Sequence, residues 1–489
     1  MKLFRLKEKT AAPFILNKSS MNTFSSPRRH RSRPISPAEP RWLGNPQEFT
    51  VEKLIYGGDG LARMAPRPET PRADSEDAPE TRSAASPSGP GQAVFIAGAL
   101  PGERVRAALF EKRSGFARAR LVQVMTPSPA RVHPPCPYFG ECGGCQWQHL
   151  DYAGQLEWKA SILRETLHRF AGYALAPEKL GIHSAEPWGY RNRARWRVLP
   201  AREGRLELGY RRAGQNRAVG VAECGLLAPE LAAVFSALRR LAAPPAGLLE
   251  LEAAVNEAGQ AQVTGHVAAP AAENTELARW LESAAQALPG RAAAALAGPD
   301  GVQNICGSGA LECGTGGFQY RVSPGVFFQV NRFLLDALVQ KVTGGIEGER
   351  ALDLFSGVGL FSLPLSRGFG WVSAVEAQPR AARDLEFNAE RAQAPVHVSA
   401  IPVAEFLARS ARGYDLAVAD PPRAGLGPEV VSHLLRLRPA RIHYLACDPV
   451  TQARDLRGLL AAGYQVETAE LFDLFPQTYH LESLLKLRL

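Results

Sequence analysis

The chain has 489 residues, 45% of them hydrophobic and 21% charged, with a formal net charge of +9. That length exceeds one ordinary domain and predicts about two to four. No apolar run reaches the ~20 residues a membrane helix needs, and no hydrophobic secretory segment opens the sequence. Residues 1–44 hold ten Lys and Arg against two Glu, leaving 47 basic and 46 acidic residues for the rest. The excess charge therefore lies in a Ser-, Pro- and Arg-rich arm (PRRHRSRPISP) that reads as disordered. Seven cysteines without a secretion signal predict a cytoplasmic protein that uses thiols for metal binding or catalysis rather than disulfides.

Residues 45–125 read as short strands separated by Gly and Pro-Gly turns, which predicts a small OB-like barrel. A flexible Pro-, Ser- and Ala-rich insertion is expected over residues 66–90. Arg104, Arg106, Lys112, Arg113, Arg118 and Arg120 give the barrel a basic cluster suited to single-stranded nucleic acid. Residues 126–320 are expected to form an α+β central domain that begins with a Cys-rich loop. Cys136, Cys142 and Cys145 stand at C-x5-C-x2-C spacing, and Cys224 is a remote fourth thiol. Four thiolates hold zinc or an iron–sulfur cluster, and spacing leaves both open. Cys306 and Cys313 match no such pattern and read as structural. In YRNRARWRV, Arg191, Arg193, Arg195 and Arg197 alternate with apolar residues, so a strand there presents one cationic face and one core face.

From residue 321, and most clearly from about 350, strands alternate with helices: ALDLF, WVSAVEA, VHVSA, YDLAVADPP, RIHYLACDP and a closing strand in HLESLLKLRL. That order predicts a doubly wound, mainly parallel α/β sheet. In DLFSGVGLF, Gly357 and Gly359 permit a tight strand-to-helix turn, with a helix expected from Leu360. Glu376, about 20 residues on, is placed to accept hydrogen bonds from ribose hydroxyls. Ser362 stands where a dinucleotide fingerprint wants a third Gly or Ala. Asp420 in ADPPR and Cys447 in YLACDP both end strands, where such sheets bind ligands. Cys447 is the candidate nucleophile, Glu482 in FPQTYHLES the candidate acid/base group, and His480 a neighbour that could orient substrate.

Taken together, FFQVN, DLFSGVGLF, ADPPR, ACDPVTQARDL and FPQTYHLES resemble the RNA uracil-5 methyltransferase family, in its iron–sulfur ribosomal RNA branch with an N-terminal TRAM barrel. The resemblance spans nearly everything from residue 47 to 489. It implies a Rossmann-like class I methyltransferase domain, S-adenosylmethionine as methyl donor, and contacts to it from Gln329, Phe355, Glu376 and Asp420. It implies Cys447 as nucleophile toward C6 of uracil, Glu482 as the base that removes the C5 proton, and a [4Fe-4S] cluster on Cys136, Cys142, Cys145 and Cys224. The implied partner is RNA, namely 23S ribosomal RNA, with transfer RNA as the rival substrate and a non-catalytic RNA-binding or assembly factor as the rival class. No membrane association and a monomer are expected. Three departures stand out: Asp448 where Asn is frequent, Leu360 where a polar residue is frequent, and SAIPVAEF where an Asp often follows the third strand.

Overall fold

The computed structural model describes residues 43–64, 91–307 and 309–489, and every structural statement below concerns these. The insertion expected over 66–90, and the arm over 1–44 apart from Leu43 and Gly44, lie outside them. Strands β1 (Gln47–Leu54), β2 (Gly60–Arg63), β3 (Ala93–Ala97), β4 (Arg104–Lys112) and β5 (Phe116–Thr126) close into a barrel in the order β1-β2-β3-β5-β4. Alternation drives the closure: in β4, Arg104 and Arg106 face solvent while Val105 and Ala107 are buried with Val51, Val94, Ile96 and Leu109. Part of the outer basic cluster is paired, Arg104 with Glu48 at 3.1 Å and Arg113 with Glu111 at 2.7 Å.

The middle of the chain contributes α1 (Tyr152–Thr166), β6 (Leu180–His183), β7 (Arg193–Arg202), β8 (Arg205–Arg211), β9 (Ala218–Gly220), α2 (Pro229–Arg239), β10 (Leu248–Val255), β11 (Ala261–Val267), α3 (Thr275–Gln286), β12 (Ala292–Gly298) and β13 (Gly301–Cys306). Seven of these strands form a sheet ordered β13-β12-β11-β10-β7-β8-β9. Helices α2 and α3 bury Phe235 and Leu281 in one cluster with Trp196, Leu251 and Leu296. A hairpin of β14 (Leu311–Thr315) and β15 (Phe318–Val322) follows.

The last third holds α4 (Leu335–Thr343), β16 (Gly348–Leu354), α5 (Ser362–Leu365), β17 (Phe369–Val375), α6 (Pro379–Arg391), β18 (Val396–Ser399), α7 (Val403–Arg409), β19 (Leu416–Ala419), α8 (Gly427–Leu437), β20 (Arg441–Ala446), α9 (Pro449–Ala461), β21 (Gln465–Phe472) and β22 (Glu482–Arg488). Every strand expected from the sequence in this region is present. The helix expected from Leu360 is one short turn, α5; Leu360 precedes it and packs into the core. The sheet order is β18-β17-β16-β19-β20-β22-β21-β6, so the winding direction reverses between β16 and β19. Successive residues of β16 serve opposite faces: Leu352 and Leu354 join Leu434 of α8 and Leu456 of α9, while Ala351 joins Leu338 of α4 and Ala381 of α6.

One element crosses the expected boundary at residue 320. Strand β6 leaves the middle segment and pairs in parallel with β21, from Leu180–Ala469 to His183–Phe472. Helix α1 accompanies it and pins the chain after β21 through a buried ion pair, Lys159 Nζ to Asp473 Oδ1 at 2.5 Å, with both side chains inaccessible to solvent. Removing one member of such a pair strands the other charge in a dry interior. Lys159→Met should therefore lower unfolding free energy by about 3–5 kcal/mol in urea titrations, and Lys159→Met/Asp473→Leu should recover most of that loss.

Candidate active site

Parallel strands share one carboxyl edge, and the sheet uses that edge to gather side chains distant in sequence. The register pairs Leu354 of β16 with Val375 of β17 and with Ala419 of β19, and Ala419 with Tyr444 of β20. The residues just beyond these ends, Phe355, Glu376, Asp420 and Cys447, therefore border one crevice at the point of reversed winding. Strand β22 runs antiparallel to β20, with Ala446 opposite Ser483. Its first residue, Glu482, therefore starts at the same edge, directly opposite the position of Cys447 in the continued register. Gln329 is buried on the segment after β15, where the Gly325 carbonyl accepts from the Gln378 side chain at 3.3 Å and the Gln329 carbonyl from the Asn192 side chain at 3.4 Å.

The turn after β16 is built for close approach. Phe355 takes the left-handed φ of 61°, beside Gly357 at 56° and Gly359 at 94°. The two glycines differ in role. A Cβ on Gly359 would lie 2.4 Å from Leu385, so that glycine lets α6 pack. A Cβ on Gly357 would meet nothing within 4 Å, so that glycine faces open space. Glu376 orders the turn by accepting from the Gly357 amide at 2.9 Å through one oxygen and from the Gln378 amide at 2.7 Å through the other.

Carboxyl groups dominate the crevice. Asp353, at the buried end of β16, accepts from the Ser362 hydroxyl with one oxygen, while its other oxygen is buried without a partner. Burial pushes its carboxyl up to about 7. Burial, then the charge of Asp353, raises Asp420 to about 7 as well. Glu482 is held well above the usual carboxylate range, by burial first and by Asp420 second. The Cys447 thiol is half-buried; burial and then Glu482 and Asp420 push it up to about 11. The cation that opposes these shifts on both Cys447 and Glu482 is Arg423 of the ADPPR loop.

Several neighbours carried no sequence signal. Tyr56, from the turn between β1 and β2, donates to the Cys447 carbonyl at 3.4 Å and to Asp448 Oδ2 at 3.3 Å. Its ring meets that of Tyr479 edge-on at 5.7 Å. Asp448 caps α9, its other oxygen accepting from the amides of Val450 and Thr451 at 2.9 and 3.1 Å. An Asp serves there as well as an Asn, which accounts for that departure. His480 lies 3.3 Å from Arg423 Nη2, and burial, with Arg423 next, lowers it to about 4, so it is neutral near pH 7. Asp353 and Arg423 were legible only as letters of their motifs, DLFSGVGLF and ADPPR.

The cationic stripe expected on β7 is corrected by the structure. Ala194 and Trp196 do face the core, but Arg195 lies 2.5 Å from Glu252, Arg197 lies 3.4 Å from Glu250, and Arg193 lies 3.5 Å from Glu252. The acids sit opposite on β10, invisible to any reading of β7 alone.

The three cysteines of the loop and Cys224 approach one another. Tyr138, inside the loop, accepts from the Ala222 amide at 2.8 Å and so draws in the segment carrying Cys224. Burial, with the charges of Cys224, Cys142 and Cys136 adding to it, pushes the Cys145 thiol up to about 12. Among the described residues no group of three or more His, Cys, Asp or Glu side chains is arranged to hold a metal ion. Cys306 and Cys313 pack against the apolar clusters, as structural cysteines would.

Comparison with known proteins places this arrangement. A family model described as tRNA (uracil-5-)-methyltransferase matches residues 308–488. A protein of Aquifex aeolicus named as an uncharacterized RNA methyltransferase is 32% identical, over 90% of this chain and 97% of the relative. A protein of Shewanella amazonensis named 23S rRNA (uracil(1939)-C(5))-methyltransferase RlmD is 36% identical, over 81% of this chain and 90% of the relative. The fold is that of the Pyrococcus abyssi tRNA (uracil-54, C5)-methyltransferase solved with S-adenosyl-L-homocysteine, at a TM-score of 0.65 and 23% identity, covering 90% of this chain and 100% of that one. With relatives above 30% identity matched along nearly their whole length, the chain belongs to the RNA (uracil-5-)-methyltransferase family.

Proposed function

We propose that this protein transfers a methyl group from S-adenosylmethionine to C5 of a uridine in 23S ribosomal RNA, with Cys447 as covalent nucleophile and Glu482 as base. The observation that carries the chemistry is the meeting of a thiol and a buried carboxyl across β20 and β22 at the ligand edge of the sheet. Bound in the crevice, S-adenosylmethionine supplies an electrophilic methyl and a positive sulfonium charge, which suits a site holding Asp353, Asp420 and Glu482. The open face of Gly357, the left-handed turn at Phe355 and the ordering of the loop by Glu376 support Phe355 and Glu376 as donor contacts, to which the resemblance adds Gln329 and Asp420. The Cys447 thiolate adds to C6 of uracil, which moves an electron pair onto C5 and O4. C5 takes the methyl carbon as its bond to sulfur breaks, the electron pair staying on sulfur so that S-adenosylhomocysteine leaves. The Glu482 carboxylate then removes the C5 proton, the C5–C6 double bond reforms, and Cys447 leaves with its electron pair. Ribosomal RNA is favoured over transfer RNA because the relatives that match most of the chain include proteins named for 23S rRNA.

We assign a [4Fe-4S] cluster to Cys136, Cys142, Cys145 and Cys224, as the resemblance implies. At Cys142, Cys145 and Cys224 burial, and then neighbouring thiolate charge, disfavours the thiolate, which a cationic centre between them would relieve, and a polynuclear cluster holds thiolates farther apart than one zinc ion does. Seven free cysteines also suit a reducing, cytoplasmic setting.

Nucleoside mass spectrometry should find new 5-methyluridine in ribosomal RNA from a host lacking the modification, and none with Cys447→Ala; product confined to transfer RNA would overturn the substrate. Alkylation of Cys447 by iodoacetamide should accelerate about tenfold per pH unit from pH 7 to 9, because the thiolate is the reactive form and its proton leaves near pH 11. Arg423→Gln should slow that alkylation at pH 7 and move the profile to higher pH, since it removes a positive charge that favours the thiolate. Protein purified without oxygen should contain iron and sulfide in near-equal amounts, and Cys145→Ser should lose both; stoichiometric zinc without sulfide would replace the cluster by a zinc site.

A further inference from the structure

The two residues that follow Cys145 reach across the molecule to the loop that leads into Glu482. The backbone amides of Gln146 and Trp147 both donate to one acceptor, the carbonyl of Gln477, at 3.1 and 3.0 Å. Gln477 is a non-glycine residue at φ 69°, a conformation that its surroundings must hold in place. They do so through its amide, its carbonyl and its side-chain oxygen. Its amide donates to Gln155 Oε1 at 2.9 Å, and Gln155 Nε2 donates back to Gln477 Oε1 at 3.0 Å. The same Gln155 nitrogen also reaches the carbonyls of Trp147 and Leu150, at 3.1 and 2.9 Å. Gln477, Gln155, Trp147 and Leu150 are buried, so water does not readily substitute for a partner lost among them.

The Trp147 side chain extends the contact to the barrel. Its indole donates to the Gly58 carbonyl at 3.1 Å, in the turn that carries Tyr56. A Cβ on Gly58 would lie 3.1 Å from the Tyr479 ring and 3.4 Å from Gln146, so barrel turn, cysteine loop and catalytic loop are packed at one point. The neighbouring loop carbonyls are held as well, Phe475 by Lys159 at 3.0 Å and Leu474 by Asn331 at 3.1 Å.

We infer that the cysteine loop acts on the active site as a clasp: Gln146 and Trp147 hold Gln477, and Gln477 is a positioning residue that sets where Tyr479, His480 and Glu482 stand. This rests on the reading of Cys447 and Glu482 as nucleophile and base. It gives the cysteine loop a duty distinct from RNA contact. Whatever Cys145 binds fixes the two amides that follow it, and through Gln477 the fix is passed to the reacting groups. A displacement there of about 1 Å would cost on the order of 100-fold in turnover.

The test is Gln155→Ala in the full-length protein, read by amide hydrogen exchange and by steady-state kinetics. Exchange at the Gln146 and Trp147 amides and across residues 473–480 should quicken. The kcat should fall by about 10- to 100-fold while KM for S-adenosylmethionine stays unchanged. Quicker exchange with an unaltered kcat would reduce the clasp to packing and overturn the proposal. So would unaltered exchange. Cys145→Ser should quicken exchange over 473–480 in the same way; if that variant fails to fold, Gln155→Ala carries the test alone. A wild-type protein that makes no 5-methyluridine would sink the proposed reaction instead, and the clasp is then judged on exchange.

Discussion

The antiparallel entry of β22 beside β20 is the constraint on which the site depends. In a purely parallel sheet, every strand would offer the crevice its last residues only. A strand that runs the other way offers its first. Pairing Ala446 with Ser483 brings the end of one strand and the start of another to the same edge, and a thiol and a carboxyl become neighbours without any long loop to hold them. Because side chains alternate across a strand, a slip of one residue in that register would turn Glu482 to the opposite face. The core on both faces guards against the slip: Leu484 belongs to one apolar cluster, Leu485 and Leu487 to the other.

A cluster of buried carboxyl groups is costly, and the crevice concentrates that cost where a cationic ligand would relieve it. Glu376 raises Asp353 after burial, Asp353 raises Asp420, and Asp420 raises Glu482. Arg423 opposes the build-up from an exposed position on a loop stiffened by Pro421 and Pro422, where solvent weakens its pull. Tyr56 adds a neutral hydrogen bond to the backbone of Cys447, the proposed nucleophile. The barrel thus takes part in the geometry of the crevice.

How much of this was legible in the sequence depended on how far each cause lay from its effect. The α/β order was legible because it rests on local periodicity, and the glycine turn, Asp420 and Cys447 were legible because they sit where strands end. The β7 arginines misled because their counter-charges stand on β10, more than fifty positions away. Tyr56 was silent because it meets Asp448 across 392 positions. A shared motif also hid a division of labour, since Gly359 serves a helix and Gly357 serves open space, which only the surrounding atoms reveal. The place of Leu360 in the core turns an apparent departure into ordinary packing.

Strand β6 carries a consequence for how the molecule comes into being. Its partner β21 lies far downstream; His183 meets Glu470 across 287 positions, at 2.8 Å. During synthesis from the N-terminus, β6 and α1 emerge long before the strand and the loop they are meant to cover. The middle sheet, whose strands pair mostly with near neighbours in sequence, can form in the interval, but the eight-stranded sheet cannot close its edge until β21 and β22 arrive. A nascent chain of this protein therefore carries an unpaired strand through most of its own translation, and a polypeptide cut anywhere between β6 and β21 leaves one half without its border.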